Sequence, residues 1–82
     1  MMSDTMDEHI LTAFGQHIKK LRVNKKLSQE QLGLISNLDR TYISGIERGK
    51  RNVSLLNIVK LASSLDVSLN EIINFHISDK PL

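Results

Sequence analysis

The chain has 82 residues, a net charge of +2, no cysteine and one proline, which leaves room for one compact domain and excludes disulfides, thiolate metal sites and a cysteine nucleophile. No apolar run approaches the roughly 18 residues of a membrane span, and the opening MMSDTMDEH is acidic where a secretory signal is basic, so a soluble, cytoplasmic protein is expected. Ten of the eleven Lys and Arg (Lys19, Lys20, Arg22, Lys25, Lys26, Arg40, Arg48, Lys50, Arg51 and Lys60) stand between His17 and Lys60 against Glu30, Asp39 and Glu47, a basic middle between acidic ends that suits one face meeting a polyanion.

Apolar residues recur at spacings of three and four throughout, without strand alternation, so the expected fold is all-α with five helices. The first helix is expected from about Asp7 to Lys25. Ile10, Leu11, Phe14, Ile18 and Leu21 form its apolar stripe, Asp7 and Glu8 suit its N-terminal dipole, and the basic run suits its C-terminus.

One device then repeats: a capping residue, preceded by an apolar residue that meets another at the fourth helical position. Leu27, Ser28 and Leu32 open the second helix, Leu38, Asp39 and Ile43 the third, Val53, Ser54 and Ile58 the fourth, and Val67, Ser68 and Ile72 the fifth. Gln31 after Ser28 and Glu71 after Ser68 are placed to complete capping boxes. Asn37 tolerates the left-handed backbone that ends the second helix, and Gly49 stands where the third must end. The expected domain is 7–77, with loose ends at 1–6 and 78–82.

The turn between the second and third helices is about three residues long, the spacing of a helix-turn-helix. Gly33 is expected to let the two backbones approach, where Ile43 and Ile46 pack. Burying those isoleucines leaves Arg40, Thr41, Ser44, Gly45 and Arg48 on other faces of the third helix. In a major groove Arg bonds guanine bidentately and Thr meets a thymine methyl or a base amine, so Arg40 leads as base reader, with Thr41 and Ser44 beside it. Tyr42 is placed to lie along the sugar-phosphate backbone, with its hydroxyl on a phosphate or a base edge. Gln29, at the first turn of the second helix, is placed for a phosphate. The loop Lys50, Arg51, Asn52 extends the basic surface, with Arg51 either a base reader or a positioning cation. Glu47 is the odd acid on this face, and Arg22 is the basic residue best placed to pair with it.

From Ser28 to Asn52, SQEQLGLISNLDRTYISGIERGKRN resembles the XRE-type helix-turn-helix family that includes the lambda-type phage repressors. Within it, NLDRTYISGIERGKRN looks particularly like the controller proteins of restriction-modification systems. The resemblance implies a five-helix, lambda repressor-like domain that binds double-stranded DNA as a homodimer and acts on its own promoter region. It implies that Arg40 and Thr41 enter the major groove, that Gln29 and Tyr42 touch the backbone, that Arg51 and Asn52 add contacts, and that Arg22 and Glu47 form an internal ion pair. Asn37 replaces a Gly common in the turn, and Gly45 replaces a longer base-reading side chain, so specificity is expected to lean on Arg40 and DNA shape.

A chain this small buries only about 60% of the surface its unfolded form exposes, and its last third is rich in apolar residues, so Leu69, Ile73, Phe75 and Ile77 are expected at a two-fold interface. Such a dimer sets recognition helices about 34 to 36 Å apart. His9, His17 and His76 are scattered, and no metal spacing or phosphate loop occurs, so neither catalysis nor a cofactor is expected. An antitoxin-like module that binds both a protein and DNA stands as the alternative, whereas an RNA-binding role lacks its aromatic platform. Glu30 is placed to meet a polymerase sigma subunit, and no small-molecule effector is expected.

Overall fold

Helix initiation in this chain is a matter of local hydrogen bonding, and the computed structural model, which describes residues 4–77, contains the repeated caps. The elements are α1 (Asp4–Asn24), α2 (Gln29–Ser36), α3 (Arg40–Glu47), α4 (Leu55–Leu65) and α5 (Leu69–Ile72). Ser28 Oγ accepts from Gln31 N–H at 3.0 Å while Gln31 Oε1 accepts from Ser28 N–H at 2.7 Å, a complete capping box. Asp39 Oδ1 accepts from Thr41 N–H at 3.1 Å, which holds the Asp39 carboxyl below its ordinary pKa. Ser54 and Ser68 accept from Asn57 N–H and Glu71 N–H at 3.2 and 3.0 Å. Each such cap contributes about 1 kcal/mol. At Ser68 only this half of the expected box forms among the described residues.

The ends obey the same local logic. Asn37 is left-handed (φ 59°) and closes α2, and Gly49 (φ 74°) follows α3, as expected. Asp66 ends α4 and Lys26 follows α1 in the same left-handed region, two stops that sequence reading missed. α1 starts at Asp4, ahead of the expected Asp7. Residues 1–3 and 78–82, where most of the expected loose ends fall, lie outside the described residues.

α5 is shorter than its apolar run suggests. The Glu71 carbonyl, which in a continuing helix would accept from Phe75, instead meets His17 Nε2 at 2.8 Å and Asn74 N–H at 3.3 Å. Phe75 leaves the helical path and sets its ring edge-on to Phe14, centroids 5.6 Å apart.

Phe14 and Ile18 of α1, Leu32 of α2, Ile43 and Ile46 of α3, Leu61, Ala62 and Leu65 of α4 and Ile72 of α5 form one buried core. The apolar residues that precede the caps, Leu27, Leu38, Val53 and Val67, pack half-buried around it. Two glycines set the spacing. At Gly15 a Cβ would collide with the carbonyl oxygen of Ile46, so α1 and α3 touch backbone to backbone there. Gly33 also permits a close approach, but a Cβ there would lie 2.7 Å from the Leu38 carbonyl oxygen. It makes room for the turn backbone and not, as expected, for Ile43 and Ile46, because the turn folds back over α2.

One buried ion pair ties these elements together. Arg22 Nε donates to Glu47 Oε2 at 2.6 Å and Arg22 Nη2 donates to Glu47 Oε1 at 3.0 Å. Their side chains are only 11% and 3% exposed. The hydrogen bond to Glu47 raises the Arg22 pKa above its ordinary value. Arg22 Nη1 donates further to the Leu27 carbonyl at 2.7 Å, bracing the α1–α2 connection. No helix among the described residues is long and apolar enough to cross a membrane.

Glu47→Ala strands a buried guanidinium and is expected to lower the unfolding free energy by about 3 kcal/mol or more in chemical denaturation. Glu47→Gln retains an acceptor for Arg22 and is expected to lose less.

Candidate nucleic-acid interface

The packing of α3 decides which of its side chains are available. Ile43 and Ile46 are 0% and 1% exposed and fix its inner face, while the Asp39 cap fixes its start. Arg40 and Thr41 are therefore held in the exposed first turn, with Tyr42 and Ser44 half-buried at its flank. The first turn also carries the positive end of the helix dipole, which suits a phosphate-lined partner. Arg48 caps the C-terminus of α3 and is exposed, as are Lys50, Arg51 and Asn52 in the following loop.

Gly45 does not lie open beside these residues. It is buried, and its cover is Arg51: a Cβ at Gly45 would sit 3.0 Å from Arg51 Cγ and 3.1 Å from Arg51 Nε. The missing side chain is thus a channel across α3 through which Arg51 runs from the loop. The Arg51 guanidinium carbon ends 5.7 Å from the centre of the Tyr42 ring, within cation–π range. Tyr42 Oη in turn accepts from Asn57 Nδ2 at 3.1 Å. Arg51, Tyr42 and Asn57 therefore form a connected surface alongside Arg40 and Thr41. Sequence reading missed Asn57, which no spacing or charge marks; only the fold brings the first turn of α4 against α3.

Gln29 is also engaged differently from its expected role. Its Nε2 donates to Glu47 Oε1 at 3.0 Å, so the amide braces the buried ion pair. Asn52 lines a cleft with Asp7, Ile10 and Leu11 of α1, at the edge of the basic loop.

The apolar residues expected at a two-fold interface separate into two groups. Leu69, Ile73 and Ile77 are 48%, 54% and 42% exposed, whereas Phe75 is half-buried against Phe14 and serves the fold. α4 adds Leu55 and Leu56, 71% and 75% exposed, which sequence reading assigned to no surface.

Comparison with known proteins places this architecture. The helix-turn-helix family model HTH_3 matches residues 18–72. The chain is 45% identical over 71 residues to control protein C.BamHI of Bacillus amyloliquefaciens, covering 85% of this chain and 88% of that protein. It is 52% identical over 60 residues to control protein C.MunI of Mycoplasma sp, covering 72% and 81%. The crystal structure of the restriction-modification controller protein C.AhdI from Aeromonas hydrophila superposes with a TM-score of 0.74 at 55% identity, over 76% of this chain and 94% of that one. The chain therefore belongs to the XRE-type helix-turn-helix family, a family of DNA-binding transcriptional regulators.

Proposed function

We propose that the chain binds a specific double-stranded operator as a homodimer, with α3 in the major groove, and that it regulates its own promoter as a restriction-modification controller does. The observation that carries this reading is the first turn of α3, where Arg40 and Thr41 are exposed on a helix whose opposite face is locked into the core. Arg40 and Thr41 read base edges, Ser44 and Arg51 add to that reading, and Tyr42, Arg48, Lys50, Asn52 and the start of α2 at Gln29 meet the backbone. The names of the relatives support the controller role.

Leu69, Ile73 and Ile77, joined by Leu55 and Leu56 of α4, are exposed apolar side chains of the kind a second copy covers. Control then comes through protein concentration, since pairing of copies precedes tight operator binding. On α2, Glu30 is exposed beside Leu34, which is 78% exposed, and this acidic and apolar surface is the one we assign to the polymerase sigma subunit. A cytoplasmic location follows from such a role.

Three outcomes test this reading. By fluorescence anisotropy across a salt series, the wild type is expected to bind the duplex upstream of its own gene tightly and a scrambled duplex weakly. Arg40→Ala is expected to lose about 1–3 kcal/mol of preference for the upstream duplex while keeping the salt-sensitive background; equal binding to both duplexes by the wild type would refute the reading. Ile73→Asp is expected to shift the dimer to monomer in sedimentation equilibrium, and an unchanged dimer would move the interface elsewhere. Glu30→Ala is expected to keep operator affinity and lose activation in a reporter assay, whereas unchanged activation would remove the polymerase contact.

A further inference from the structure

Tyr42 is held at two points that no DNA contact explains. Its ring lies under the Arg51 guanidinium, 5.7 Å from ring centre to guanidinium carbon, and its hydroxyl meets Asn57 Nδ2 at 3.1 Å. Asn57 is itself anchored, since its backbone N–H donates to Ser54 Oγ at 3.2 Å in the first turn of α4. The chemistry of the pair sets a direction. A phenol has one hydrogen to give and lone pairs to receive with, whereas an amide NH2 group only donates. When Asn57 donates to Tyr42 Oη, the single phenolic hydrogen must go to some other acceptor.

We infer that Asn57 is a positioning residue for DNA binding: by donating to Tyr42 Oη it turns the one hydroxyl hydrogen of Tyr42 outward, toward a DNA phosphate. A phosphate oxygen only accepts, so it is matched by a hydroxyl whose accepting side is already occupied. Were Asn57 absent or reversed, the hydroxyl would be free to rotate or would spend its hydrogen inside the protein. Arg51 above the ring and Asn57 at its tip thus fix both the plane of Tyr42 and the direction of its hydrogen. The inference rests on the reading of α3 as the DNA-contacting helix.

The test is a double-mutant cycle on affinity for a duplex enriched from a random-sequence pool by binding to the wild type. Tyr42→Phe and Asn57→Ala are each expected to weaken binding about tenfold, the scale of one hydrogen bond to a charged group. The double variant is expected to be no weaker than either single one, because Asn57 acts only through the Tyr42 hydroxyl. Asn57→Asp, which suits a helix start and so guards against loss of folding, accepts where Asn57 donates. It is expected to weaken binding more in the wild-type background than in the Tyr42→Phe background, where only its charge repulsion remains. Losses that multiply in the double variant, or full binding by Asn57→Ala, would overturn the inference and leave the DNA reading intact. Failure of the wild type to enrich any duplex would overturn the DNA reading itself, and this inference with it.

Discussion

Glu47 is a carboxylate only 3% exposed, and a buried charge is tolerable only when its oxygens are met. Here both are: Arg22 takes Oε1 and Oε2 in a two-pronged bond, and Gln29 adds a second donor at Oε1. Those three residues belong to the C-terminal part of α1, the first turn of α2 and the last residue of α3. Satisfying one carboxylate therefore fixes three helices relative to one another. Gly15 supplies the matching steric condition, since α1 reaches this distance from α3 only where a Cβ is missing. With the end of α3 held in this way and its middle held by Ile43 and Ile46, its first turn has one orientation left, and that turn carries Arg40 and Thr41.

The same economy of space shapes the outer surface. A side chain at position 45 would press on Arg51 and push it aside, so the bare Gly45 lets a side chain from the loop lie close across the helix. The guanidinium thereby reaches the Tyr42 ring, and Tyr42 reaches Asn57 of α4. The result is a surface assembled from α3, the following loop and α4. A short helix of eight residues thus gains neighbours that its own length does not supply. Exposed cations on that surface suit a phosphate backbone, while the polar residues fixed among them suit a choice between base sequences.

The helices were legible because capping is local: Ser28, Asp39, Ser54 and Ser68 each act within three residues, and their apolar neighbours act within five. The ion pair was legible for a different reason, as Glu47 stands out as an acid in a basic segment although Arg22 lies 25 residues away. What escaped depends on distances between elements. The end of α5 is set by His17, 54 residues away from the Glu71 carbonyl it meets. Nothing in the apolar pattern distinguishes Phe75, turned inward onto Phe14, from Ile73, left exposed. The contact partner of Gly33, the inward turn of the Gln29 amide and the cover over Gly45 were likewise invisible, because each depends on where a second element stops.

We propose that the anchored α3 reads base edges in a major groove through Arg40, and guanine N7 is the atom such a contact needs. Methylation interference on an operator duplex selected by the wild type reports on that atom directly. With Arg40 on guanine, methylating N7 of a guanine in each half-site, with the two centres about 10 base pairs apart, abolishes wild-type binding and leaves the residual binding of Arg40→Ala unchanged. Binding that tolerates N7 methylation throughout the operator would contradict it.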